Sequence, residues 1–351
     1  MKSQKIIQYA KPLEEVEEET PVPEGTEVLI KIIYSGVCHS DVHLSDGFFV
    51  LSGEKKIDIS SRRSLPFTLG HEIFGEVVAF GADAKAVKIG DRRAVYPWIG
   101  CGECHICVAG DENLCESANK SIGTNVDGGF SDYVLVPNSK YLIETDGVDE
   151  RLAATYMCSG LTAYSALKKI GKLGKNDSVL ILGLGGVGMS GLQLGKAVLE
   201  SPLFAADIDD TKLERAKMLG VRGIYNTKDN EALSNLLSET KGGVSAVIDF
   251  VGSHKTAEFA LGSLKRGGKY IVVGLYGGAL SIPMATIPLR AISIVGSLTG
   301  SLSEAKDVMR LAKAGKIDPI PIEERSLDKA MATIEDLKNG KIIGRVVLTP
   351  G

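Results

Sequence analysis

The stretch SVLILGLGGVGMSGLQLGKAV, residues 178–198, constrains the fold more than any other part of the chain. Its opening apolar run reads as a buried strand, and the segment that follows reads as a helix. Gly183, Gly185 and Gly188 fall between the two in a G-x-G-x-x-G arrangement. The first glycine permits the tight turn, the second lets backbone approach a pyrophosphate, and the third lets helix and strand pack closely. A helix that begins there offers free N–H groups and a positive dipole end to phosphate. Within LFAADIDD the next apolar run ends in Asp207, close to the spacing at which a carboxylate accepts hydrogen bonds from an adenosine ribose. The same carboxylate repels a 2′-phosphate, so the pattern favours NAD over NADP.

The runs VSAVIDF and KYIVVGL repeat the grain of that stretch to about residue 298. Short apolar strands alternating with amphipathic helices predict a parallel sheet covered on both faces. Residues 26–145 read differently. EVLIKIIYSGVC, IFGEVVAFG, DRRAVYP and FSDYVLVP are short strands cut by Gly, Pro, Asn and Asp, as in an antiparallel barrel-like domain. The polar stretch LSGEKKIDISSRRS, 51–64, lacks periodicity and reads as a surface loop. The last fifty residues form a mixed tail that returns to the first domain. The expected class is therefore α/β, a β-rich domain plus a doubly wound one, and 351 residues suit two domains. No apolar run approaches the roughly 20 residues a membrane helix needs. A net charge of −4 with scattered Lys and Arg gives no reason to expect nucleic acid or an anionic membrane as partner. The first twenty residues alternate like a strand and then turn acidic, unlike a signal or transit peptide, so the expected location is the cytoplasm.

Closely spaced thiols in a reducing compartment are more often metal ligands or catalytic groups than disulfides. Cys101, Cys104, Cys107 and Cys115 supply the four thiolates that close a tetrahedral structural zinc site. No position then stays open for substrate, and His105 between the ligands reads as an exposed ring. A redox switch or a zinc-ribbon module are the rival readings, and the ribbon's usual gap of roughly 15–20 residues is missing. Cys38 and Cys158 remain, with His71 and Glu72 between them in TLGHEIFGEV. Two thiolates and an imidazole match the open three-ligand set of a catalytic zinc. Spacing alone leaves open whether these three meet or serve separately in the core.

The motifs GVCHSDVH, LPFTLGHEIFGEVVAFG, CGECHIC…C, CSGLTAYSAL, GLGGVG and ADID occur in this order. Together they resemble the zinc-containing medium-chain alcohol dehydrogenases along essentially the whole chain. The chain is most similar to the shorter bacterial and archaeal forms, which are typically homotetramers. The resemblance implies a GroES-like catalytic domain over 1–159, with a structural-zinc lobe at 98–118 and a return segment over 299–351. A Rossmann NAD-binding domain would occupy 160–298. It implies two zinc ions per chain, NAD, a small alcohol, aldehyde or ketone as partner, and a homotetramer with a dimer as fallback.

Residue by residue, Cys38, His71 and Cys158 match the catalytic-zinc ligands, Glu72 their acidic neighbour, and Asp41 the carboxylate that orients the histidine. Ser40 and His43 match the proton relay. Asp207 and Lys212 match the ribose contacts, Thr162 and Val187 positions beside the nicotinamide, Leu275 and Leu298 further coenzyme contacts, and Arg345 a pyrophosphate contact, with Gly186 in the phosphate turn. His39 stands where several animal enzymes have an arginine touching pyrophosphate. The insertion at 51–64 resembles one in archaeal relatives, so substrate preference does not transfer. Phe48, Phe49, Trp98 and Leu298 are candidates for an apolar pocket. The implied activity is reversible oxidation of primary or secondary alcohols with hydride transfer to NAD. The alternatives are a specialised enzyme of the superfamily for aromatic, cyclic, terpenoid or ω-hydroxy acid substrates, and a non-catalytic dinucleotide-binding thiol sensor.

Overall fold

Val179–Leu182, the strand before the glycine turn, lies inside a six-stranded parallel sheet in the computed structural model, which describes all 351 residues. Numbered within this sheet by chain position, the strands run in the order 3-2-1-4-5-6. This is the order of the doubly wound dinucleotide-binding fold. The strands Val179–Leu182, Leu203–Asp207 and Val244–Asp249 are buried along their whole length, which is why they read as continuous apolar runs. Gly223–Asn226 is a strand that hydropathy did not signal, because this edge position is only partly buried. Helices such as Gly186–Val198 and His254–Ser263 connect successive strands. Ser253 starts the second of these with a reciprocal capping box to Thr256.

The sheet belongs to one of two units, comprising Thr162–Leu298 together with Phe49–Ile57. The other unit comprises Met1–Phe48, Asp58–Leu161 and Thr299–Gly351. The excursion at 49–57 breaks the single segment expected over 1–159. Nor are residues 51–64 a plain loop. Phe48–Ser52 and Lys55–Asp58 pair as a two-stranded hairpin around Gly53, which has a positive φ. The second strand is exposed throughout, so it hides no apolar face and leaves no alternation to read.

In the β-rich unit, Val28–Gly36 pairs antiparallel with Glu72–Phe80 on one side and with Arg345–Thr349 on the other. Tyr133–Val136 also pairs with it. The carboxyl-terminal strand is thus built into the first domain's sheet, giving the return of the chain a hydrogen-bonded reason. Register does further work. Gly36 pairs with Glu72 and also with Val347, so Cys38, His71 and Arg345 fall at one end of three neighbouring strands.

Candidate active site

Cys38 and His71 lie just beyond the paired ends of their strands. Cys38 also caps the helix His39–Asp46, and Asp41 accepts the Cys38 backbone N–H at 2.8 Å. Cys158 arrives on a π-helical turn, Tyr156–Gly160, spliced between Glu150–Thr155 and Leu161–Ile170. Such widened turns recur at functional sites. The ligand atoms of Cys38, His71 and Cys158 lie within 4.8 Å of one another, and the two sulfurs are 3.9 Å apart. Tetrahedral bonds of about 2.3 Å to zinc put two sulfurs about 3.8 Å apart.

All three side chains are buried, and neither ring nitrogen of His71 has a hydrogen-bond partner. Asp41 Oδ1 is 3.4 Å from His71 Nδ1 but misaligned, so it too lacks a hydrogen bond. An unsatisfied buried polar group costs about 1–3 kcal/mol, a penalty a coordinated cation removes. The donor set fits zinc. Its protonation follows from the same crowding. The hydrogen bond from Cys158, outweighing burial, holds Cys38 well below the usual thiol range, while that bond and burial push Cys158 well above it. Burial opposes a charged His71 ring, but Asp41 and Cys38 outweigh it and raise the ring well above its ordinary value.

Around the three ligands the structure gathers most of the other predicted residues of this unit. Ser40 Oγ is 3.8 Å from Cys38 Sγ. His43, one turn further along the helix, is half-buried, and its ring stands 5.5 Å from that of the exposed His39. Burial, then the charge on His39, lowers the His43 ring below its ordinary value. Trp98 lies 5.3 Å from His71, ring to ring, and its Nε1 donates to the Met157 carbonyl at 3.0 Å. Burial pushes Glu72 up to about 7 against the pull of Arg345. Arg345 lies beside Glu72 within this unit. Its guanidinium is buried, donating to Glu72 Oε2 and to the Val37 carbonyl, because a buried carboxylate demands a cation.

The sulfur atoms of Cys101, Cys104, Cys107 and Cys115 form a second cluster within 4.8 Å of one another, with Cys101 and Cys107 3.8 Å apart. Backbone N–H groups of Cys101 and Cys104 point at Cys115 and Cys101 sulfurs, both at 3.3 Å. Backbone donors, Ala118 foremost, bring Cys115 down to about 6, whereas burial pushes Cys107 up to about 12. The four-sulfur set also fits zinc, as a closed site. Glu112, which drew no notice in the sequence, staples this lobe. Its carboxylate accepts Tyr141 Oη at 2.6 Å, Lys140 Nζ at 2.8 Å and Gly100 N–H at 3.2 Å.

In the unit with the parallel sheet, Gly183 adopts φ +87°, and a Cβ on Gly188 would run into the Gly183 carbonyl. Gly185 is different. Its φ is −68° and a Cβ there would meet no protein atom within 4 Å, so neither strain nor packing asks for glycine. An approaching ligand does, which is the fit expected of a dinucleotide pyrophosphate. Gly186 and Val187 begin the helix, both half-buried. Asp207 is buried at its strand end and accepts the N–H of Leu184 at 2.5 Å, of Ile208 at 2.7 Å and of Asp209 at 3.1 Å. A carboxylate offers about four acceptor positions, so about one remains for a ribose. Lys212 Nζ stands 4.0 Å from Asp209. Thr162 is half-buried, while Leu275 and Leu298 are exposed. The pocket candidates divide: Phe48 and Trp98 belong to the β-rich unit, Phe49 and Leu298 to the other.

A GroES-like β-rich unit with two sulfur-rich donor sets, joined in one chain to a 3-2-1-4-5-6 sheet with a glycine turn, defines a medium-chain dehydrogenase. Residues 24–146 match the family described as alcohol dehydrogenase GroES-like domain, and 186–314 match zinc-binding dehydrogenase. The chain is 38% identical over 353 residues to an NAD-dependent alcohol dehydrogenase of Saccharolobus solfataricus, covering all of both chains. It is 37% identical to one from Sulfurisphaera tokodaii, again over all of both chains. The crystal structure of an Aeropyrum pernix alcohol dehydrogenase superposes with a TM-score of 0.90 at 30% identity, covering all of both chains. The chain belongs to the zinc-containing alcohol dehydrogenase family.

Proposed function

We infer that the protein is an NAD-dependent zinc alcohol dehydrogenase that interconverts primary or secondary alcohols with aldehydes or ketones. The observation that carries this reading is the buried Cys38–His71–Cys158 set with its unpartnered imidazole. Zinc held there supplies Lewis-acid polarisation of the substrate oxygen. NAD, seated on the glycine turn, supplies the hydride acceptor.

The chain's own residues supply binding, orientation and proton movement. With Nδ1 of His71 facing Asp41, Nε2 is the nitrogen left for the metal, and Asp41 fixes the ring's orientation. Ser40 Oγ takes the proton released from the alcohol and passes it toward the His43 ring. Spacing of three residues puts Ser40 and His43 on one face of their helix. A His43 held below its ordinary value is neutral near pH 7 and ready to accept. Trp98, tethered to Met157, walls the site beside His71 and keeps water from it. Asp207 selects NAD by accepting ribose hydroxyls, with Lys212, Thr162, Val187, Leu275 and Leu298 as further coenzyme contacts.

The four-cysteine lobe holds the second of two zinc ions per chain, without a reactive role. The cytoplasm and a homotetramer complete the proposal. No helix is long and apolar enough to cross a membrane, and the edge strand Ser293–Gly296 exposes Ile294 as a pairing surface. Two measurements test the reading. Elemental analysis should find about two zinc ions per chain, the sum of one open and one closed site. Asp207→Gly should move coenzyme preference toward NADP; unchanged discrimination removes Asp207 as the selector. A panel of aliphatic, cyclic and aromatic alcohols then separates a general enzyme from a specialised one.

A further inference from the structure

The loop 274–280, which follows the strand Leu264–Val272, bonds to its neighbouring loop through Tyr276 N–H on the Val251 carbonyl at 3.0 Å and Gly277 N–H on the Gly252 carbonyl at 3.1 Å, and it is held at three further points, all within one unit. Asp249, fully buried at the end of its strand, accepts Val251 and Gly252 N–H on its carboxylate, at 2.8 and 2.9 Å. Its backbone carbonyl accepts Val273 and Gly274 N–H, both at 3.0 Å, so one residue fixes the roots of two adjoining loops. His254, in the first turn of the helix His254–Ser263, places Nδ1 2.6 Å from the Ala279 carbonyl. A carbonyl only accepts, so Nδ1 carries the proton. The third point comes from far away in sequence. Gly278 N–H donates to the Leu51 carbonyl of the hairpin at 2.6 Å.

Side chains on the loop would prevent this. A Cβ on Gly277 would lie 2.5 Å from the Val50 oxygen, and one on Gly278 would lie 2.7 Å from the His254 nitrogen. Both glycines also have positive φ, +94° and +146°. The hairpin has little reason to persist on its own account. An isolated two-stranded hairpin is marginal in water, and its second strand is wholly exposed. What the clamped backbone displays is Leu275 and Tyr276, 49% and 69% exposed. Apolar side chains held outward on a fixed backbone make a contact surface.

We propose that the hairpin and His254 are positioning elements for the nicotinamide half of NAD: they fix the loop that carries Leu275 before the coenzyme arrives. The proposal rests on the reading of Leu275 as a coenzyme contact, and the loop's place after the fifth strand of the 3-2-1-4-5-6 sheet puts it in the half that does not carry the glycine turn and Asp207. Fixing the loop in advance removes its ordering cost from binding. The adenosine half, held at the glycine turn and Asp207, gains nothing from the strap. That asymmetry is the signature.

Calorimetric titration of the parent chain with NAD and with ADP-ribose comes first; binding of neither defeats the coenzyme assignment itself, and the strap with it. Two variants follow, His254→Ala and a chain with residues 50–57 replaced by a short Gly-Ser linker. Each should speed hydrogen exchange of the 274–280 amides and weaken NAD roughly five- to tenfold, the worth of one hydrogen bond, with ADP-ribose within about twofold. His254→Asn, whose amide nitrogen can take the Nδ1 position, should restore both readouts. Unchanged exchange, or faster exchange with unchanged NAD affinity, overturns the proposal. So does an equal loss of NAD and ADP-ribose, since that marks general loosening rather than positioning.

Discussion

Cys101, Cys104, Cys107 and Cys115 lie within a single lobe of residues 101–115, whereas Cys38 and Cys158 stand 120 residues apart with His71 between them. The first set is half open to solvent, two of its cysteines being only partly buried; the second is buried throughout. In the lobe, backbone N–H groups already point at the sulfurs, and each ligand is a short turn from the next. In the other set the imbalance is left standing, with a histidine that no protein atom satisfies. A closed four-ligand site organises its own loop. An open three-ligand site depends on the surrounding fold to bring its donors together, and can hold a fourth position for substrate.

The sharpest break between the two is activity against stability. Cys38→Ser keeps a competent helix cap for His39–Asp46 while removing one soft ligand. Turnover should fall at least about a thousandfold, the several kcal/mol that Lewis-acid stabilisation supplies, with the unfolding midpoint nearly unchanged. Steady-state rates and a thermal melt read both, and near-parental turnover would remove this set from the catalytic role. Cys104→Ser should do the reverse. Loss of a structural metal should cost at least about 3 kcal/mol of stability, while turnover well below the melt stays within about twofold. A variant that keeps its melting temperature but loses turnover would assign the lobe a part in the reaction.

How far each region could be read in advance follows from the same contrast. The four-cysteine lobe is local, so spacing and ligand chemistry pointed to its geometry. For Cys38, His71 and Cys158 spacing was silent, and the resemblance carried the grouping; strand register then explains why Cys38 and His71 meet, and the widened turn brings Cys158. Gly183 and Gly188 were legible as backbone necessities. The partners of charged residues were not. Nothing in a linear pattern says that Arg345 turns onto Glu72, that Glu112 ties Tyr141 to Gly100, or that Asp249 roots two loops. Those choices are made by burial, which leaves a carboxylate no water and so makes it take whichever donors tertiary packing supplies. The hairpin was missed for the complementary reason: its exposed strand buries nothing that hydropathy could register.

Glu112 sharpens the comparison by asking what holds the lobe apart from its sulfurs. Burial would raise this carboxyl, but Lys140, Tyr141 and the Gly100 N–H outweigh burial and hold it below the ordinary carboxyl range. A folded pKa below the unfolded one means stability fully present above that unfolded value and lost as pH falls through the folded one. Glu112→Gln keeps the shape but not the charge and should cost about 1–3 kcal/mol near pH 7, the worth of hydrogen bonds to a charged group. As pH falls from the unfolded value of about 4.3 through the lower folded one, the parent's carboxyl protonates and the two proteins should converge. Denaturant melts across that range test the sign, and a gap that persists in acid would show that shape, not charge, holds the staple.

Trp98 touches both regions, and so gives the smallest but most pointed test. It stands three residues before Cys101, its ring lies 5.3 Å from His71, and its Nε1 is bonded to the carbonyl of Met157, next to Cys158. One indole therefore joins the start of the closed lobe to two ligands of the open site. Trp98→Phe retains an aromatic ring beside His71 and deletes only the hydrogen bond to the widened turn. If the lobe matters to catalysis solely as a frame, the substitution should leave both metals bound, lower stability by about 1 kcal/mol and raise the alcohol KM a few-fold. Loss of the zinc at Cys38, His71 and Cys158, read by elemental analysis, would mean that the turn bearing Cys158 depends on this one bond. The independence of the two regions would then be limited to their ligands and would not extend to the scaffold they share.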